Sequence, residues 1–221
     1  MSPLLAIIFK DIVVELRSRE TVTSMMMFGF LVVVIFNFAF EPSGTERSLI
    51  APGIIWVAFS FAGIIGLNRS LSMELDNDCL QGLLLAPVSR SDLYLGKVAS
   101  NFLFMLGAEF IVLPLFFILN NLRFTVQFFW IAGIAVLGTL GFASVGTILS
   151  TISANTRMRE VMLPVLQIPL TIPVVMAAVN ATSAVLAEPR EEISSWLYLL
   201  AGFSIVYLTA SYLVFEYVVE E

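Results

Sequence analysis

Glu109 is a carboxylate set deep in an apolar run that extends from Val98 to Leu119. A carboxylate at mid-membrane depth costs about 2.5–3.5 kcal/mol on insertion scales, so it has either a task or a partner. Two readings follow. One is a contact with a partner subunit or a polar gate. The other, which we prefer, is a protonated carboxyl hydrogen-bonded to a neighbouring helix. The remaining chemistry-bearing residues are defined by what is missing. The 221-residue chain has no histidine, which removes the commonest proton shuttle, metal ligand and haem axial ligand. Its single cysteine, Cys79, cannot form an intrachain disulfide and makes a metal cluster implausible. No glycine-rich loop ending in Lys-Ser or Lys-Thr is present to cradle ATP, and no polar cluster that could catalyse stands inside an apolar run. The chain is therefore expected to be non-catalytic, with no catalytic, cofactor-binding or metal residues of its own. An intramembrane enzyme is disfavoured on the same grounds.

The other informative stretch runs from Glu74 to Lys97. It opens acidic and then offers a short apolar helix over Leu80 to Leu85. Pro87 ends that helix by restricting its predecessor and withholding an N–H. Ser89 is placed to cap a second helix with Asp92 in its first turn. A short apolar helix held off a membrane suits a groove on a soluble partner. Packing on lipid or on neighbouring helices is the competing explanation, and spacing alone leaves both open.

These residues are positioned by hydrophobic helices. The chain is 59% hydrophobic and 13% charged, against about 45–50% and about 25% for a soluble domain. Its mean hydropathy is +0.96. Such a chain fits a bilayer, where each backbone polar group must be satisfied within a helix or a closed barrel. The apolar runs are long and unbroken, which excludes alternating barrel strands. The expected fold is an all-α membrane protein in one domain over 1–221, with six spans at 21–40, 51–67, 98–119, 127–151, 161–179 and 196–218 and a loop at 69–97. Ahead of them, 2–17 reads as an amphipathic interfacial helix rather than a signal peptide. Leu5, Ile8, Phe9, Ile12, Val13 and Leu16 share one face, and Lys10, Asp11, Glu15 and Arg17 fall away from it.

Charge sets the orientation. Lys10, Arg17, Arg19, Arg69, Arg90, Lys97, Arg157 and Arg159 would lie on one side of the membrane, and only Arg47, Arg123 and Arg190 on the other. The basic side is expected to be cytoplasmic, with both termini there. Trp56, Trp130 and Trp196 are expected to anchor the opposite interface. A net charge of −6 without a basic stripe sets nucleic-acid binding aside. In the fourth span, Gly138, Gly141, Ser144 and Gly146 should admit a neighbouring helix, preferably of the same chain. Pro164, Pro169 and Pro173 should kink or break the fifth.

The run Glu74…Gly82-Leu-Leu-Leu-Ala-Pro87-Val-Ser-Arg-Ser-Asp-Leu-Tyr-Leu-Gly96-Lys97 resembles the coupling-helix region of type-2 ABC exporter permeases. Lys10-Asp11 with Glu15-Leu-Arg-Ser-Arg-Glu20, Trp56-Val-Ala-Phe59, Gly66-Leu-Asn-Arg-Ser70, Gly138-Thr-Leu-Gly141 and Ala154-Asn-Thr-Arg157 with Arg159-Glu160 narrow the likeness. Together they resemble the haem-exporter protein B (CcmB) family of cytochrome c maturation, from the N-terminal helix to the fifth span. Asp78-Cys79-Leu80-Gln81 departs from that family's pattern, where a small or glycine residue and then a glutamate are expected.

The resemblance implies a type-2 ABC exporter-like permease in the bacterial inner membrane, acting as a homodimer. It would work with a separate ABC ATPase (CcmA-like), a haem-handling membrane protein (CcmC-like), a small single-span protein (CcmD-like) and a periplasmic haem chaperone (CcmE-like). The chain would bind no cofactor directly: the ATPase would use the ATP, and the complex would handle the haem. Hydrolysis would drive haem delivery or release of the haem-loaded chaperone. Glu74, Gly82, Leu84, Pro87, Arg90 and Lys97 would couple the ATPase to the spans. A general exporter of lipid, glycan or drug, and a passive scaffold without ATP coupling, are the alternatives.

Overall fold

The structure, a computed structural model, describes residues 3–39, 45–76, 88–122, 125–154, 156, 158–187 and 192–220. Among these residues every regular element is a helix: α1 Pro3–Ser18, α2 Glu20–Ala39, α3 Thr45–Asp76, α4 Arg90–Leu119, α5 Val126–Ala154, α6 Arg159–Leu186 and α7 Ser194–Glu220. Six of them, α2 to α7, are long and apolar enough to cross a membrane. The ends are set by local chemistry. Proline opens α1, where its missing N–H costs nothing. Arg19 stands in the left-handed region (φ 56) and donates its N–H to the Glu15 carbonyl, closing α1 before α2 begins. Ser89 caps α4 as expected, its Oγ accepting from the Asp92 N–H at 3.0 Å.

The helices differ from expectation mainly by overrunning. α3 continues beyond residue 67 to Asp76, and α4 begins at Arg90, so helix occupies both described ends of the 69–97 loop. The apolar segment at Leu80–Leu85 lies outside the described residues. The three prolines do not break α6, which runs continuously from Arg159 to Leu186. Two hydroxyls also donate to carbonyls of α6 within this stretch. Thr171 donates to the Gln167 carbonyl at 2.9 Å, and Tyr207 of α7 donates to the Leu170 carbonyl at 2.6 Å.

α5 is the hub, in contact with α3, α4, α6 and α7. Its small residues admit helices of the same chain, as preferred: Gly138 lies under Trp56 of α3, and Gly141 under Ser204 of α7 and Val174 of α6. Trp56 itself corrects the sequence reading. It is 4% exposed and its indole Nε1 donates to Thr182 Oγ1 of α6 at 2.9 Å. It is a core strut between α3 and α6 rather than an interfacial anchor. A hydroxyl on a distant helix satisfies its N–H, which composition cannot reveal. Trp130 and Trp196 remain partly exposed, as anchors should.

A Cβ at Gly138 would stand 2.8 Å from Cζ3 of the Trp56 ring, which has no flexible end to swing away. Gly138→Val should therefore lower the thermal unfolding midpoint in detergent by the equivalent of about 1–3 kcal/mol. Gly107→Val, at a position with nothing within 4 Å, should leave it in place.

Candidate functional site

The candidate site lies where α1 meets the start of α4, at the descent from the 69–97 segment into the bundle. α1 packs on α4 through one stripe, Ile7, Asp11 and Glu15, each four residues from the last. Ile7 is 4% exposed and sits on Gly96, where a Cβ would come within 3.0 Å of Ile7 Cγ2. That close approach brings the two charges together. The Lys97 ammonium donates to both oxygens of Asp11, at 3.1 and 3.0 Å, and Lys10 adds an ion pair at 2.8 Å. The Lys97 and Asp11 side chains are 8% and 10% exposed, so this is a buried pair. Glu15, 7% exposed, accepts from the Val22 N–H at 2.8 Å, joining the end of α1 to the first turn of α2. An ion pair from Arg69 to Glu20 fastens α3 to α2.

This alters the expected picture of α1. Leu5, Phe9 and Leu16 of the apolar arc are exposed, which suits contact with lipid. The polar side, however, is docked on protein: Asp11 and Glu15 hold α4 and α2. The signal was present as the four-residue spacing of Ile7, Asp11 and Glu15. Its partner lies 86 residues away, beyond the reach of periodicity.

The first turns of α4 are tied inward as well. Tyr94 is fully buried, donates to the Ser144 carbonyl of α5 at 3.1 Å and packs on Phe215 of α7, with ring centroids 5.1 Å apart. One turn beyond Lys97, Asn101 donates to Thr147 Oγ1 of α5 at 3.0 Å. Ser70, Lys97, Asn101, Thr147 and Ser150 line a cavity of about 30 Å³. The start of α4 is thus tied to α1 by an ion pair and to α5 and α7 by packed rings and hydrogen bonds.

Of the expected coupling residues, Arg90 is the first residue of α4 and is half-buried. Lys97 points inward to Asp11. Glu74 falls near the end of α3, with its side chain outside the described part. Gly82, Leu84 and Pro87 lie outside the described residues. Glu109 stands apart in the middle of α4. It is 8% exposed and accepts from Thr139 Oγ1 of α5 at 2.7 Å, the neighbouring-helix hydrogen bond preferred from sequence. Among the described residues, no group of three or more His, Cys, Asp or Glu is placed to hold a metal.

Burial pushes the Asp11 carboxyl up, but the ammonium groups of Lys97 and Lys10 outweigh it and hold the group below its ordinary value. A carboxyl depressed in the folded state contributes stability above its unfolded pKa and loses that contribution as pH falls through the folded value. The α1–α4 contact should therefore persist at neutral pH and loosen on acidification through and below the ordinary aspartate range. Unfolding midpoints taken from about pH 7 down to about pH 3 should show this acid-labile component in the native chain and lack it in Asp11→Asn.

A family model described as "CcmB protein" matches residues 2–220. Among curated proteins, the chain is 28% identical to the heme exporter protein B of Haemophilus influenzae, over 81% of each chain. It is also 28% identical to that of Bradyrhizobium diazoefficiens, over 86% of this chain and 85% of the relative. The heme exporter protein B of Escherichia coli K12 is 28% identical over 77% of each.

Proposed function

The chain belongs to the CcmB protein family, and from that premise we propose that it is the membrane subunit of a haem exporter complex serving c-type cytochrome assembly. The observation that carries this is the family match over nearly the whole chain, joined by relatives named heme exporter protein B. Six helices of spanning length supply the body of such a subunit. The chain is a transporter subunit rather than an enzyme: ATP is used by a separate CcmA-like ATPase, and haem is cargo.

The coupling runs through the start of α4. Closure of an ATPase dimer on the cytoplasmic side would press on the segment between Asp76 and Arg90, through Glu74, Gly82, Leu84, Pro87 and Arg90. Lys97 would not touch the partner; buried against Asp11, it would make α1 and α4 move as one body. A helix slid past fixed neighbours would break Tyr94–Ser144 and Asn101–Thr147, so the push is relayed to α5. In this scheme both termini are cytoplasmic, the membrane is the bacterial inner membrane and the chain works as a homodimer. CcmC-like and CcmD-like proteins and a CcmE-like chaperone complete the complex, and ATP serves haem delivery or release of the loaded chaperone.

The test is co-purification. A tagged chain expressed with its own ATPase, extracted in mild detergent, should retain the ATPase in equal amount. A complex that keeps the haem-handling subunit but carries no ATPase would contradict the coupling and leave a passive scaffold.

A further inference from the structure

An apolar groove of about 230 Å³ lies between α3 and α6. Its rim is formed by Val57, Phe61, Ile172 and Met176, all substantially exposed on the lipid-facing surface of the bundle. A second, far smaller chamber of about 10 Å³ lies deeper, bounded by Trp56, Gly138, Thr139 and Glu109. The two cavities share a wall made of Ser60, Phe142 and Val175. Only a serine, one aromatic ring and one valine therefore separate a groove open to the bilayer from a buried carboxyl.

That carboxyl is half used. Glu109 Oε1 accepts from Thr139, whereas Oε2 has no hydrogen-bond partner among the described residues. Neither chamber nor groove is lined by a lysine or arginine, so neither offers a cation. A buried acceptor left unmatched costs free energy that a bound donor recovers, and an amine arriving neutral from the bilayer can take the proton of a protonated Glu109 and leave an ammonium–carboxylate pair. A ligand that brings its own cation on an apolar body matches both parts: the body fills the groove, and the head meets the carboxyl.

We propose that the α3–α6 groove is a binding site for a lipophilic amine that enters from the bilayer, its apolar body along Val57, Phe61, Ile172 and Met176 and its ammonium on Glu109. Rotation of the Phe142 ring or the Val175 side chain opens the shared wall, and Ser60 offers a hydroxyl to the head as it passes. The site stands apart from the Asp11–Lys97 latch and does not depend on the exporter assignment. It selects for a base, because only a base can turn the protonated Glu109 into an ion pair, whereas a carboxylate head brings a buried negative charge with no cation to meet it.

The experiment uses the full chain in phospholipid nanodiscs and dicyclohexylcarbodiimide, an apolar reagent that adds whole to a carboxyl in apolar surroundings and leaves a stable mass increment on its peptide. The increment should appear at Glu109 and be absent in Glu109→Gln. Dodecylamine should lower total modification of Glu109, counting both the reagent increment and the dodecylamide that an activated carboxyl forms with the amine, by about tenfold at saturation. Dodecanoate, with the carbodiimide kept in excess of it, should leave it within about twofold. Ser60→Trp, filling the shared wall, should block labelling, and Met176→Trp, at the exposed rim, should weaken it without disturbing the core. The proposal is overturned if Glu109 in the folded chain is not labelled, or if dodecanoate protects as well as dodecylamine. It is equally overturned if both tryptophan variants, shown to be folded, label like the native chain. Protection that appears only when two copies are joined by a disulfide through Met176→Cys, in a Cys79→Ser background, would assign the groove to a second copy and also overturn it.

Discussion

Replacing Asp11 with alanine should destabilise the protein by about 3–5 kcal/mol, because it takes both carboxylate oxygens away from a buried Lys97 ammonium. Lys97 is 8% exposed and donates to both carboxylate oxygens of Asp11. Lys97→Met should cost less than Asp11→Ala, since Lys10 still pairs with the carboxylate at 2.8 Å. The double replacement Asp11→Leu with Lys97→Met removes both charges and should recover most of the lost stability. Recovery of stability would not imply recovery of function. If the ion pair carries force from the start of α4 into α1, the double variant should be folded yet impaired in cytochrome assembly. The measurement is a thermal unfolding series on the native chain, both single variants and the double, with covalent haem on c-type cytochromes scored in parallel. A double variant that is stable and fully active would reduce the pair to a folding element.

Leu84→Asp should cut cytochrome maturation to below about a tenth while the chain still inserts and ATP is still hydrolysed. A charge placed where an apolar anchor enters a partner's groove removes a contact of hot-spot size, about 2 kcal/mol or more. Leu84 lies outside the described residues, so this expectation rests on the apolar run Gly82-Leu-Leu-Leu and on the proline that ends it. Leu83→Asp and Leu85→Asp lie to either side on the same short run and report which face of it docks. Normal maturation in all three variants would remove this segment from the coupling path.

Much of the fold was legible because hydrophobic spans declare themselves by length, and the Ser89 cap by one residue type at a fixed offset from Asp92. The basic residues Lys10 and Lys97 were visible, and so was the acidic Asp11. Their union was not, because it depends on the docking of two helices far apart in sequence and on Gly96 admitting Ile7. Trp56 was misread for a related reason. Aromatic residues near span ends suit an interface, and only the position of Thr182 on α6 shows that the indole is satisfied inside the bundle. Of the kink or break expected at the prolines of α6, the break does not occur, since the helix is continuous over Arg159–Leu186. Glu109 stood out in the sequence as a carboxylate within an apolar run. What the sequence could not convey was its place behind a three-residue wall from an open groove.

The central claim is that this chain is the membrane subunit of a haem exporter complex for c-type cytochromes. The direct measurement is complementation: a bacterium lacking its own such subunit receives this gene together with the cognate ATPase. Covalent haem on periplasmic c-type cytochromes is then read out beside the haem-bound fraction of the chaperone. The account predicts restored cytochromes, and haem-loaded chaperone accumulating in the deletion strain but not in the complemented one. An inserted chain that binds its ATPase and still restores nothing would contradict it and point to an exporter of another cargo.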